Sequence, residues 1–137
     1  MGDRVIKSAT REEIKKLTKE ASEVGLVHCT DNTAENTTIL CACCECCCGM
    51  LGGLTRFDNP RTIARANYIS KIDEDLCGAC GTCLERCKFN AITINDFAEA
   101  NSDKCIGCGL CAVTCPNDAI TMVRFKREKI PGEMESN

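Results

Sequence analysis

The chain has 137 residues, 15 of them cysteine and none tryptophan, so a core of large apolar side chains must be small. The odd cysteine count, and a first twenty residues that are charged throughout without an apolar secretion signal, argue against a secreted disulfide scaffold. The formal net charge of −3 hides an acidic segment at 73–118, with eight acidic against three basic side chains, which argues against nucleic acid as the partner. No apolar run is long enough for a membrane span. We therefore predict a reduced, cytoplasmic, metal-binding protein.

The first predicted element is a helix that begins after Thr10. Thr10 and Glu13 match a capping box, and Gly25 suits the position just beyond the helix end. The apolar residues recur at helical spacing, at Ile14, Leu17, Ala21 and Val24. Residues 25–28 (GLVH) are predicted to be a short extended piece, and residues 29–38 a polar loop.

A run of cysteines, CACCECCC, follows at residues 41–48 and places six thiols in eight residues. Neighbouring cysteines project in different directions, so neither a helix nor a strand would aim all six at one metal core. We predict an irregular loop, over which Gly49, Gly52 and Gly53 let the chain fold tightly.

Four uses of this run are considered. It could hold buried small thiols, a zinc site built from Cys43/Cys44 and Cys46/Cys47, a thiol–disulfide redox centre, or a third iron–sulfur centre. We favour the third iron–sulfur centre, of a non-cubane or higher-nuclearity type, because more than four ligands are available. The predicted ligands are Cys41, Cys43, Cys44, Cys46, Cys47 and Cys48, with Cys29 and His28 as further candidates.

After a linker-like stretch with a turn at Asn59-Pro60 and a predicted strand at 68–73, the chain repeats itself. Residues 75–93 align with residues 103–121 at an offset of 28. Each copy has a cysteine-rich loop, about one helical turn and a strand. Two such β-loop-α units, related by a pseudo-twofold axis, are too short to bury a core without something between them.

The repeat carries two Cys-x2-Cys-x2-Cys-x3-Cys motifs. Three thiolates from one tight loop can hold three corners of an iron–sulfur cube, while the fourth points to the other cube. This predicts Cys77, Cys80, Cys83 and Cys115 on a first [4Fe–4S] cluster, and Cys105, Cys108, Cys111 and Cys87 on a second. Zinc is disfavoured, because a third in-line cysteine has no place in a tetrahedral four-thiolate site.

With these motifs, residues 72–122 resemble a bacterial-type ferredoxin. The resemblance implies two pseudosymmetric β-α-β units around two [4Fe–4S] clusters, and one-electron transfer at low potential. One position departs from the family pattern: Pro116 follows the fourth cysteine of the second motif, but Lys88 follows Cys87. A lysine there adds positive charge near the second cluster.

Residues 10–123 also resemble a group of iron–sulfur proteins of anaerobes. In these, a Gly-Leu-Val-His-like segment and a Cys-x-Cys-Cys-x-Cys-Cys-Cys run precede a two-cluster ferredoxin module. The matching residues here are Gly25 to His28, the six cysteines of 41–48 and the eight motif cysteines. The resemblance gives the upstream run no settled chemistry.

The predicted fold class is α+β, a small ferredoxin-like repeat with an N-terminal helix and a cysteine-rich loop. The predicted boundaries are 1–70 for the metal-binding segment, 71–123 for the ferredoxin domain and 124–137 for a basic, flexible tail. We predict an electron carrier, not an enzyme, that docks its acidic surface on a redox partner protein or enzyme complex, with no nucleic acid or membrane span. Two alternatives stay open: a reductase or activating component whose loop cluster is the working site, with Arg56, Arg61 and Arg65 holding an anionic ligand, and a metal-trafficking or cluster-assembly protein.

Overall fold

The computed structural model describes residues 8–31 and 37–126, and the predicted tail lies mostly outside these ranges. The fold is mixed α/β, with three two-stranded antiparallel sheets that pair β1 with β2, β3 with β6, and β4 with β5. No helix within these ranges is long and apolar enough to cross a bilayer. In chain order the elements are α1 (Arg11–Glu23), β1 (Val27–Thr30), β2 (Leu40–Cys43), α2 (Gly49–Arg56), β3 (Tyr68–Ile72), α3 (Thr82–Arg86), β4 (Ile92–Ile94), β5 (Ala98–Ala100), α4 (Leu110–Thr114) and β6 (Ile120–Arg124).

Helix α1 has the ends that its sequence predicts. The Glu13 backbone N–H donates to Thr10 Oγ1 at 3.2 Å, and the Thr10 N–H donates to the Glu13 carboxylate at 2.8 Å. The helix stops at Val24, and Gly25 follows with a φ of +90°, a left-handed conformation that favours glycine. The predicted capping box and helix end are confirmed.

The cysteine run is not an irregular loop throughout, and this part of the prediction is wrong. Its first three residues form β2, which pairs with β1 so that Cys41 lies opposite Cys29 and Cys43 opposite Val27. This pairing joins residues 10 to 16 positions apart along the chain. The turn that follows has residues 45–47 at its centre and is closed by a hydrogen bond from the Cys48 N–H to the Cys44 carbonyl.

The glycines after the run also have a different role from the one predicted. Gly49, Gly52 and Gly53 lie within helix α2, whose apolar face packs inward through Leu51. A side chain at Gly53 would overlap the methyl group of Thr62. Close packing, not a tight turn, therefore explains why this helix tolerates a residue that disfavours helices.

The ferredoxin-like part begins at β3, in agreement with the predicted strand at 68–73. Gly81 and Gly109 directly precede helices α3 and α4 as N-cap residues, with φ values of +84° and +78°. Three pairs of residues at the repeat offset share a positive φ: Ala79 and Gly107, Gly81 and Gly109, Asn90 and Asp118. Strand β5, which the sequence analysis did not predict, pairs with β4.

Two apolar clusters form the core. One lies inside the ferredoxin-like part and includes Cys83, Ile92, Ala98, Cys111 and Ile120. The other joins two distant parts of the chain, because Val27 and Leu51 of the upstream segment pack with Ile106 and Leu110 of the second motif. The upstream segment is therefore packed directly on the loop and helix of the second cysteine motif.

Candidate metal centres

The second motif surrounds a cavity beside α4. Cys105, Cys108 and Cys111 line it from the loop and the first turn of that helix, and Cys87 lines it from the end of α3. Cys105 and Cys111 are buried, while Cys87 and Cys108 are half-buried. These are the four cysteines that the motif spacing assigns to one cluster.

Burial dominates the electrostatics of this cavity. It raises the pKa of Cys108 to about 11, and the charges of Cys87 and Cys105 add to the effect. Burial likewise raises the pKa of Cys111 to about 11. The thiols of Cys108 and Cys111 are therefore protonated at neutral pH, and a metal that binds them as thiolates must displace their protons.

The first motif is arranged similarly around α3. Cys83 is buried, Cys77 is half-buried and Cys80 is exposed. Cys77 and Cys115 pack against the apolar cluster that includes Cys83 and Cys111. The side-chain amide of Asn117, two residues after Cys115, donates to the carbonyl of Leu76 at 3.3 Å, which holds the end of the second motif against the start of the first.

Backbone N–H groups point at three of these sulfurs. Ala91 donates to Cys87 Sγ at 3.4 Å, and Ala119 donates to Cys115 Sγ at 3.3 Å. These two bonds occupy equivalent positions in the repeat. A third runs from Ala98, in β5, to Cys77 Sγ at 3.4 Å. Donors of this kind stabilise negative charge on cluster sulfur.

The sequence analysis did not single out Ser70 or Arg86, which also line the cavity of the second motif. Ser70 is buried in β3, with its Oγ 3.8 Å from Cys105 Sγ. Arg86 donates from Nη2 to the carbonyl of Ser22 at 2.8 Å and to that of Glu23, at the C-terminal end of α1. The alternation of side chains along the predicted strand 68–73 could have placed Ser70 on the buried face of that strand. The hydrogen bonds of Arg86 join residues more than sixty positions apart, so no local sequence pattern indicates them.

Upstream, four cysteines share one side of the β1–β2 hairpin. Cys29 and Cys41 are directly opposite, and Cys43 lies two residues further along the same face of β2. Cys48, at the start of α2, packs with Cys29 and Cys43 against the cluster that includes Val27 and Leu51. Cys108 of the second motif packs on that same cluster.

The pKa values of these thiols reflect their mutual proximity. Burial, followed by the charges of Cys41 and Cys48, raises the pKa of Cys29. Burial, with hydrogen bonding to Cys41 next, raises the pKa of Cys43 to about 12. In contrast, the backbone N–H of Leu51 in the first turn of α2 lowers the pKa of Cys48.

The other three cysteines of the run lie on the turn. The Sγ atoms of Cys44, Cys46 and Cys47 are all within 4.8 Å of one another, and those of Cys46 and Cys47 are 3.6 Å apart. Cys46 and Cys47 are exposed and Cys44 is half-buried. Hydrogen bonds from Cys46 and Cys47 lower the pKa of Cys44.

His28 is on the opposite face of β1 from Cys29. Its Nε2 is 3.0 Å from the Thr18 carbonyl and 3.1 Å from Ser22 Oγ, on helix α1. The hairpin thus brings Cys29 to the other thiols and turns His28 away from them.

The nearby basic residues make local contacts. Arg56 Nη2 donates to the Cys46 carbonyl at 2.6 Å, and Arg65 donates to the carbonyl of Asp103. Lys88 Nζ lies 3.9 Å from Glu45 Oε1, so its charge is offset by a carboxylate of the cysteine turn. Two of the three arginines considered for an anionic ligand are therefore engaged with backbone carbonyls.

Comparison with known proteins agrees with this geometry. Residues 70–122 match the family model of the 4Fe-4S dicluster domain. No curated protein sequence matches the chain. The matched segment begins within β3, ends within β6 and contains all eight motif cysteines. Residues 70–122 of this chain are a ferredoxin-type iron–sulfur domain.

Proposed function

We propose that the protein is a low-potential, one-electron carrier of the cytoplasm, with two [4Fe–4S] clusters in its ferredoxin-type domain and a third metal centre upstream. The observation that supports it best is the cavity in which Cys87 joins Cys105, Cys108 and Cys111. A cysteine supplied by the other half of the repeat is the arrangement typical of two-cluster ferredoxins.

The proposed ligand sets follow from the same crossing. One cluster is held by Cys77, Cys80, Cys83 and Cys115, and the other by Cys105, Cys108, Cys111 and Cys87. The positive φ values at matching repeat positions support two pseudosymmetric β-α-β units, with 71–123 as the ferredoxin domain and 1–70 as a metal-binding segment. The fit of these residues to iron–sulfur clusters rests on buried thiols, left-handed glycines in both loops and N–H groups directed at sulfur.

When bound, the clusters supply the one-electron chemistry, and groups of the chain around them set the reduction potential. The N–H groups of Ala91, Ala98 and Ala119 stabilise the added negative charge on sulfur, which favours the reduced state. The eight carboxylates of 73–118 oppose it and lower the potential. That acidic surface would steer the carrier to a basic face of its redox partner.

The third centre is proposed for the upstream cysteines, at Cys29 and within 41–48. Three of these thiols pack on the apolar cluster that also contacts Cys108. A centre there would lie beside the second cluster. We leave His28 out of the ligand set, because its Nε2 already faces helix α1.

Iron and sulfide analysis of the anaerobically purified chain tests the cluster count. We expect about eight irons from the ferredoxin-type domain and about twelve if the third centre is a four-iron cluster. Fewer than about eight irons, or no paramagnetic signal after reduction, would contradict the carrier function.

Serine variants test the crossed ligand sets. Cys87→Ser should perturb the same cluster signal as Cys108→Ser, and Cys115→Ser the same signal as Cys80→Ser, in electron paramagnetic resonance spectra of the reduced protein. If Cys87→Ser instead matches Cys80→Ser, each motif holds its own cluster and the crossing is wrong.

A further inference from the structure

The seven upstream thiols fall into two groups of different size and exposure. Cys29, Cys41, Cys43 and Cys48 are half-buried on the inner face of the hairpin and at the start of α2. The sulfurs of Cys44, Cys46 and Cys47 project from the turn, which is mostly exposed. The alternation of side chains along β2, followed by the turn, separates the two groups.

The spacing of the turn sulfurs fits a single metal ion. Zinc–sulfur bonds of about 2.3 Å place the sulfurs of a tetrahedral site about 3.8 Å apart. Cys46 Sγ and Cys47 Sγ are 3.6 Å apart, and Cys44 Sγ is within 4.8 Å of both. In the described ranges, no other group of three or more Cys, His, Asp or Glu side chains converges within that distance.

The motif cysteines provide the contrast. Their sulfurs do not converge within 4.8 Å, nor do those of the four hairpin thiols, within the part of the chain that the structure describes. An iron–sulfur cube places metal and sulfide between its thiolates, so its ligands stand farther apart than those of one ion. The two upstream groups therefore differ in the size of the core that each can hold.

We propose that Cys44, Cys46 and Cys47 form a separate site for one thiophilic divalent ion of the zinc class, whose fourth coordination position is open to solvent. Cys29, Cys41, Cys43 and Cys48 are then the ligands of the third iron–sulfur centre. This assignment rests on the proposed function for the hairpin group, whereas the three-thiol site stands on its own geometry.

The surroundings of the turn support an ion there. Arg56 donates to the Cys46 carbonyl in the middle of the turn, and the Cys48 N–H donates to the Cys44 carbonyl at 3.1 Å, which joins the two ends of the turn. On binding a divalent ion the three thiols release their protons to solvent, and the site carries one net negative charge. The Arg56 guanidinium beside the turn offsets that charge. A water or an incoming thiol can occupy the exposed fourth position, as in zinc sites that keep one open.

Cadmium is the probe for this site. The iron-loaded full chain is incubated anaerobically with a small excess of Cd²⁺, unbound ion is removed, and iron, zinc and cadmium are measured together. We expect zinc plus cadmium to reach about one equivalent per chain with the iron content unchanged. X-ray absorption at cadmium should give three sulfur neighbours and one lighter atom; four sulfur neighbours would overturn the open position.

Two double variants separate the groups. Cys46→Ser/Cys47→Ser should lose the zinc and cadmium and keep all the iron, while the matched pair Cys29→Ser/Cys41→Ser should lose about four irons and keep the cadmium. Loss of iron from the first variant, or retention of its cadmium, overturns the three-thiol site. Full iron in the second variant overturns the hairpin assignment. The carrier function is tested separately, because an iron content below about eight in the unmodified chain would contradict it.

Discussion

Gly107, in the loop of the second cysteine motif, offers a sharp test of how that loop is held. Its φ is +79°, and an added Cβ would overlap the carbonyl oxygen of Tyr68 and lie 2.9 Å from the Cβ of Ala66. Gly109, two residues on, has almost the same φ of +78°, but its Cβ would meet only Met122 Cγ at 4.0 Å. Gly107→Ala and Gly109→Ala therefore share the backbone strain and differ in the overlap.

The expected energies follow from these two terms. A non-glycine residue in the left-handed region costs about 1–2 kcal/mol, and both variants bear that cost. Gly107→Ala must also push β3 away from the loop, which adds roughly 1–3 kcal/mol, as overpacking does elsewhere. The position equivalent to Gly107 in the first repeat is Ala79, with a φ of +49°, so the conformation alone is compatible with alanine.

The loss of visible cluster absorbance in denaturant, under anaerobic conditions, measures the difference. Cluster loss is irreversible, so stability is read as a rate. If the whole free-energy difference between the two variants appears in the unfolding rate, Gly107→Ala should lose absorbance about 5- to 150-fold faster than Gly109→Ala. Equal rates for the two variants would refute the view that β3 packs on the cysteine loop.

Three further changes probe other contacts. Arg86→Ala removes hydrogen bonds to the end of α1, worth about 2–4 kcal/mol, and should speed the loss of cluster absorbance in denaturant at least about tenfold, while the exposed Arg61→Ala should change that rate by less than about threefold. Thr10→Ala removes the capping box and should cost about 1 kcal/mol, seen as faster amide exchange in the first turn of α1. Hydrogen bonds from Thr38 lower the pKa of Asp31. This contact therefore stabilises the fold above the ordinary aspartate pKa, and the stabilisation is lost as the pH falls through the lowered pKa. In an NMR titration of the Asp31 carboxyl group, Thr38→Val should raise the midpoint.

Each of these has a contrary outcome. Equal stability of the Arg86 and Arg61 variants would mean that the α1 contact contributes nothing. Unchanged exchange in Thr10→Ala would show that tertiary packing alone sets the start of α1. If Thr38→Val leaves the titration midpoint of Asp31 unchanged, hydrogen-bond donors other than the Thr38 side chain lower the pKa of Asp31.

Local signals determined which parts of the fold the sequence could predict. The ends of α1 were predictable because Thr10, Glu13 and Gly25 act on their own neighbours. In the ferredoxin-type domain, the helical turns α3 and α4 and the strands β4 and β6 followed from the repeat and its cysteine spacing, whereas nothing in the repeat indicated β5. The matching family model covers the same residues.

The upstream segment was harder, because its structure depends on contacts distant in sequence. Cys41 belongs to a strand only because it pairs with Cys29, and no pattern within 41–48 indicates that partner. Gly53 argues against a helix until Thr62 is seen to pack against it. The sorting of the seven thiols into two groups likewise comes from this pairing and the turn after it, which residue spacing does not specify.

The apolar cluster shared along the chain also sets an order of events during synthesis. Val27 and Leu51, only 1% and 0% exposed, are made before Ile106 and Leu110, the partners that enclose them. At about 5–20 residues per second, the ribosome needs several seconds to cover that interval. Throughout it, the nascent chain carries seven thiols beside an unfinished core. Emergence of the second ferredoxin motif is thus the step that closes the upstream segment, and a chain truncated before it would offer those thiols to any metal or oxidant at hand.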